Sequence, residues 1–118
     1  DTCGHTRGDS ILQSVADILL GSIRKNDAAC RYGGDEFVLL LIDCDLQDAM
    51  KRADEIRRKI NGIGSVCNEY GSGVITASVG IAAYPSAGSN REELLRAADK
   101  ALYQAKRAGR DRVIVAEP

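Results

Sequence analysis

The sequence predicts an α/β (α+β) fold, a mostly antiparallel sheet covered by helices. Three observations carry this: three segments repeat apolar residues at helical spacing, β-rich runs alternate with them, and a glycine pair separates two of those runs. Ile11, Leu12, Val15, Ala16, Leu19 and Ile23 recur on one face after Asp9, a suitable N-cap, so a first helix is expected from about Asp9 to Arg24. Ala28 to Tyr32 and Glu36 to Ile42 read as hairpin arms on either side of Gly33-Gly34. Leu46, Ala49, Met50, Ala53, Ile56 and Ile60 mark a second amphipathic helix, with a loop rich in Gly, Ser and Asn after it. Val74 to Tyr84 is β-rich, with Ile75, Ala77, Val79, Ile81 and Ala83 on one face, and Pro85 to Ser89 form the next break. Asn90 can cap a third helix carrying Leu94, Leu95, Ala98, Ala101, Leu102 and Ala105, which stops near Gly109 before a short strand, Arg112 to Val115.

A chain of 118 residues with 44% hydrophobic content can bury a core but is too short for a second domain. Its formal net charge of -1 gives no electrostatic case for nucleic-acid polymers or anionic membrane surfaces, so any phosphate recognition must be local. Cys3, Cys30, Cys44 and Cys67 are scattered and form no CxxC pair, which points to neither a zinc site nor a disulfide framework. Free thiols in a reducing, cytoplasmic compartment are the expectation. No apolar stretch reaches the length of a membrane span, and nothing resembles a signal peptide.

The chemistry concentrates in Gly33-Gly34-Asp35-Glu36-Phe37, between Arg31-Tyr32 and the apolar run Val38 to Ile42. Paired glycines suit a tight, positive-φ turn and let phosphates approach the backbone, while adjacent carboxylates can hold a divalent cation. The competing reading is a hairpin whose acids merely face water. Further motifs decide between them: His5-Thr6-Arg7-Gly8-Asp9 upstream, Ala77-Ser78-Val79-Gly80-Ile81-Ala82 in the late strand, and Ala101-Leu102-Tyr103-Gln104-Ala105-Lys106-Arg107-Ala108-Gly109-Arg110 downstream. In this order and spacing, from Asp1 to about Val115, they resemble the GGDEF domain of diguanylate cyclases.

The resemblance implies a nucleotide-cyclase palm, a ferredoxin-like βααββαβ core with the GGDEF turn between its two middle strands. It also implies bacterial signalling by metal-dependent condensation of two GTP into cyclic di-GMP, with release of two pyrophosphates. The cation is expected to be Mg²⁺ or Mn²⁺, and a homodimer is expected because one half-site holds one GTP. Asp35 is then a metal ligand and proton acceptor, and Glu36 either ligates metal or meets the attacking hydroxyl. Gly33 and Gly34 border the phosphates. Asp9 aligns with a guanine contact, a role compatible with an N-cap because a carboxylate has several acceptor sites. His5 aligns with a position near the nucleotide. Lys106 and Arg110, at a helix end where cations are favoured in any case, are assigned to the triphosphate tail.

Arg24-Lys25-Asn26-Asp27 matches the family's RxxD product-inhibition motif, in which Arg24 and Asp27 would grip cyclic di-GMP. A helix-ending arginine before a loop aspartate is equally ordinary surface chemistry. Where a further arginine often completes that site the chain has Glu55, with Arg57 or Arg58 as a substitute. The family's opening strand, with another metal-binding aspartate, and an asparagine before Asp1 that contacts guanine are expected to be missing. Residues 1–118 thus read as a single GGDEF domain without its first strand, weak or inactive alone, from a chain with sensory or phosphodiesterase domains. The alternative is a non-catalytic GGDEF module that binds GTP or cyclic di-GMP and regulates a neighbouring domain.

Overall fold

The computed structural model describes residues 7–67 and 75–118, with side chains over 10–63 and from 75 onward. Along the chain run α1 (Arg7–Gly21), β1 (Ala28–Gly33), β2 (Glu36–Leu40), α2 (Leu46–Cys67), β3 (Val79–Ile81), α3 (Arg91–Arg107) and β4 (Val113–Val115). This is the α+β class expected. The elements gather into two compact units, one built on α1, β1, β2 and the last turns of α2, the other on the start of α2 and β3-α3-β4.

In the first unit the described span of α1 is Arg7–Gly21, so Asp9 lies within the helix instead of capping it. The helix also ends at Gly21, before the expected Arg24. Asp27 is the reason. Its Oδ2 accepts from the Arg24 amide at 2.8 Å, and its own amide donates to the Arg24 carbonyl at 3.0 Å. That closed turn offers the backbone an alternative to another helical turn.

The other oxygen of Asp27, Oδ1, accepts from the amide of Ile42 at 2.8 Å, just past the end of β2. One carboxylate therefore ties the loop entering β1 to the loop leaving β2. Between them the strands pair antiparallel, Ala28 opposite Leu40, Ala29 opposite Leu39, Cys30 opposite Val38 and Arg31 opposite Phe37. Among the described residues, Leu19 and Ile60 are the buried apolar side chains of this unit.

Asp45 caps α2, its Oδ1 accepting from the Asp48 amide at 2.7 Å. Ala53, Ile56 and Ile60 are buried at i, i+3 and i+7, the later part of the expected stripe, whereas Leu46 and Met50, expected on the same face, are exposed. The helix does not stop after Ile60, however, and runs through Gly62 to Cys67 where a loop was expected. Each glycine costs a helix about 1 kcal/mol relative to alanine, too little to end a propagating ladder.

In the second unit β3 and β4 pair in parallel, Val79 with Val113, Gly80 with Ile114 and Ile81 with Val115. Among the described residues the sheets are thus one antiparallel and one parallel pair. Parallel pairing follows from the connection, since α3 carries the chain back to start β4 beside the start of β3. Val74 lies outside the described residues, and the rest of that β-rich run, 75–84, yields three strand residues, because a ladder extends no further than its partner and β4 is three residues long. The bonds from Val79 N to Arg112 O at 2.9 Å and from Ala116 N to Ile81 O at 2.7 Å complete it.

Asn90 caps α3 as expected, accepting from the Glu93 amide at 2.9 Å. Glu93 in return accepts from the amide and hydroxyl of Ser89, at 2.8 and 2.9 Å, which hold its carboxyl below the usual range. Ala101 and Ala105 are the buried face of α3. Small residues there let the helix come down onto Gly80, where a Cβ would run into Ala98 O and Leu102 N. Both obstacles are backbone, so neither can swing aside. Gly80→Ala is expected to destabilise the domain by about 1–3 kcal/mol, read as a lower urea midpoint with the same slope. Asp27→Ala, which strips partners from two backbone amides, is expected to cost about 1–3 kcal/mol, and Asp27→Asn, which keeps one acceptor oxygen, about half as much.

Candidate active site

Gly33 and Glu36 are strand partners, so Gly34 and Asp35 form a two-residue hairpin loop. Gly34 sits at φ +47, in the left-handed region, which the missing side chain makes inexpensive. The register shifts between Arg31 and Gly33, leaving Tyr32 as an extra, exposed residue beside the turn. Arg31 Nε donates to the Gly34 carbonyl at 2.7 Å, so the strand that enters the turn also clamps it. This contact was not read from the sequence, although an arginine two residues before a glycine pair is within reach of such a carbonyl. Among the described residues, a Cβ built on Gly33 or Gly34 would meet nothing within 4 Å, which leaves the turn backbone open to a ligand.

Asp35 is exposed in the loop and Glu36 is half-buried at the first position of β2. Strand alternation would send neighbours to opposite faces, but Asp35 precedes the strand and escapes that constraint. Two adjacent carboxylates supply hard oxygen donors of the kind Mg²⁺ or Mn²⁺ takes, with other positions left for water and phosphate. Among the described residues no group of three or more His, Cys, Asp or Glu converges to hold an ion. Asp35 and Glu36 therefore fit a cation as part of its shell.

Between α1 and the hairpin lies a cleft of about 400 Å³, lined by Leu12, Ala16 and Leu19 on one side and Ala29, Cys30, Arg31 and Phe37 on the other. The sequence marked the α1 residues as one apolar stripe without showing that part of it faces an open cleft. Asp9 lies one turn before Leu12 on α1, and His5 lies outside the described residues. Among the described residues, Cys30 and Cys44 are in no disulfide.

Lys106 and Arg110 belong to the second unit. Lys106 lies in the last turn of α3 and is half-buried. The helix then closes in a Schellman motif, the Arg110 amide donating to Ala105 O at 2.9 Å and the Gly109 amide to Lys106 O at 3.4 Å, with Gly109 at φ +121. Arg110 is exposed beyond it. Neighbouring Arg107 lies over the Tyr103 ring, 5.8 Å from its centroid, and donates to the Tyr103 hydroxyl at 3.1 Å.

Arg24 is exposed at the start of the turn that Asp27 closes. Asp27 thus has a structural task on both oxygens, which the RxxD pattern did not reveal. Glu55 is exposed on α2. Arg57 and Arg58, the two possible substitutes for an arginine there, both pair with Asp54, at 2.9 and 2.7 Å, and Arg57 also with Asp111 at 2.8 Å. The Arg57 hydrogen bond is the leading cause that holds the Asp54 carboxyl below its usual value.

The family model for the diguanylate cyclase GGDEF domain matches residues 1–112. The response regulator PleD of Caulobacter vibrioides is 39% identical over 115 residues, 97% of this chain but 25% of PleD, so the chain spans about a quarter of that relative. Among solved structures, the GGDEF domain of YfiN (TpbB) from Pseudomonas aeruginosa superposes with a TM-score of 0.82 at 35% identity, covering 98% of this chain and 71% of that one. The GGDEF domain of DgcB from Caulobacter crescentus, solved in complex with c-di-GMP, gives 0.79 at 30% identity, over 98% and 68%. No described helix is long and apolar enough to cross a membrane. With a family match across nearly its whole length and the glycine turn with its paired carboxylates inside the matched span, this chain belongs to the GGDEF domain family of diguanylate cyclases.

Proposed function

We propose that this domain condenses two GTP molecules into cyclic di-GMP, releasing two pyrophosphates, as a cytoplasmic homodimer within a longer signalling chain. The observation that carries the proposal is the open hairpin turn, where Asp35 and Glu36 sit beside two glycines whose backbone a phosphate can approach. Family membership supports it, as does the c-di-GMP bound to the DgcB domain.

In this reading the guanine enters the cleft between α1 and the hairpin, with Leu12 and Phe37 against its faces and Asp9 accepting from its edge. His5 lies near the nucleotide. Gly33 and Gly34 border the phosphates, and Lys106 and Arg110 neutralise the triphosphate tail and the departing pyrophosphate. Asp35 and Glu36 would hold Mg²⁺ or Mn²⁺, which when bound neutralises phosphate charge and lowers the pKa of the attacking hydroxyl. Asp35 receives the proton of the ribose 3′-hydroxyl as it attacks the α-phosphate. A homodimer brings two such half-sites together, since the product joins two nucleotides. Arg24 and Asp27 form part of a product-inhibition site, with Arg24 gripping phosphate while Asp27 also maintains its turn.

Asp35→Asn in the full-length protein is expected to abolish production of cyclic di-GMP from GTP with little change in melting temperature, because the amide keeps the turn's shape and removes its charge. Chromatography of the products checks this, and undiminished turnover would overturn the assignment. Arg24→Ala is expected to weaken cyclic di-GMP binding by roughly ten- to a hundredfold, the loss of one charge-assisted contact at about 1.5–3 kcal/mol. Calorimetric titration of cyclic di-GMP measures it, and equal affinities would reduce the RxxD match to a helix end and a loop.

A further inference from the structure

Two consecutive non-glycine residues follow the Schellman motif of α3 in the left-handed region, Arg110 at φ 62 and Asp111 at φ 49. Such backbone persists only where surrounding contacts hold it. The contacts here converge on Asp111. Its Oδ1 accepts from Arg57 Nη1 at 2.8 Å and its amide donates to Ser78 Oγ at 3.2 Å. Arg57 is itself fixed by Asp54, whose Oδ1 accepts from Nε at 3.0 Å and from Nη2 at 2.9 Å, and only 20% of the Arg57 side chain is exposed. Arg58 holds the other oxygen of Asp54 at 2.7 Å. The guanidinium of Arg57 is thus locked along one edge and uses the remaining nitrogen to hold the loop next to Arg110.

We infer that Arg57, acting through Asp111, is a positioning residue for the triphosphate of the bound nucleotide, because it sets the backbone from which Arg110 reaches the phosphates. The inference rests on the proposed contact between Arg110 and the triphosphate. Electrostatics add a second effect. An unengaged Asp111 would compete for the adjacent Arg110 guanidinium and repel phosphate, and Arg57 occupies that carboxylate. The pair spans 54 residues of sequence, which is why spacing gave no sign of it.

The test is calorimetric binding of 3′-deoxy-GTP, which lacks the attacking hydroxyl, to the full-length protein with Mg²⁺, with melting temperatures measured alongside. Arg110→Ala is expected to weaken binding about ten- to a hundredfold and Arg57→Gln about three- to tenfold. The double variant is expected to bind no worse than Arg110→Ala alone, since Arg57 acts through the missing side chain. Full additivity, or unchanged affinity in Arg57→Gln while Arg110→Ala binds weakly, would overturn the inference. Unchanged affinity in Arg110→Ala would instead refute the triphosphate contact itself. Should Arg57→Gln fail to fold, Asp111→Asn and Asp111→Gly separate the same alternatives, because both residues tolerate positive φ and only asparagine keeps an acceptor for Arg57. Asparagine close to wild type with glycine weakened supports the inference, and equal affinities overturn it.

Discussion

The close approach of α3 to Gly80 is the constraint on which the second unit depends. A helix can lie this near a strand only where the strand lacks a Cβ and the helix presents small residues, here with Ala101 and Ala105 buried. Once α3 is seated, it serves as the crossover between two strands that must then run parallel. The end of α3 is placed with it, and so are Lys106 and the loop that carries Arg110. Packing and prospective chemistry therefore share an origin in one missing methyl group.

The first unit depends on a polar contact of comparable weight. Asp27 satisfies an amide on either side of the hairpin, and the antiparallel arms between those points bring the chain to the Gly34-Asp35 loop. Arg31 then clamps the turn from its own strand. A turn held this way can expose its backbone and the Asp35 carboxylate without collapsing over them, the condition a phosphate-binding loop has to meet. Asp27 also shows how a pattern associated with ligand binding can serve the fold, since product recognition would use the lone pairs its two backbone contacts leave available.

Charge is used sparingly and locally. A nearly neutral chain cannot draw anionic nucleotides by its overall field, so attraction must come from particular cations near particular carboxylates. Arg107 rests on Tyr103 and Arg57 is spent on Asp54 and Asp111, whereas Arg110 stands exposed after the Schellman motif. One structural arginine thus sits three positions before the one proposed for phosphate and another on the carboxylate just after it, and residue type alone would not have separated them.

The sequence by itself determined what local physics encodes. The later part of the α2 stripe (Ala53, Ile56 and Ile60), the Asn90 cap of α3, its stop at Gly109 and the hairpin at Gly33-Gly34 each depend on neighbours within a few residues, and each appears where expected. The carboxylate pair Asp35 and Glu36 was readable for the same reason. Tertiary structure decided the rest. The shortness of β3 reflects the length of a partner more than thirty residues away. The run of α2 through Gly62 shows a cooperative ladder overriding a local preference. The double duty of Asp27 and the clasp of Arg57 on Asp111 are contacts between residues 15 and 54 positions apart, and only folding gives such pairs a distance.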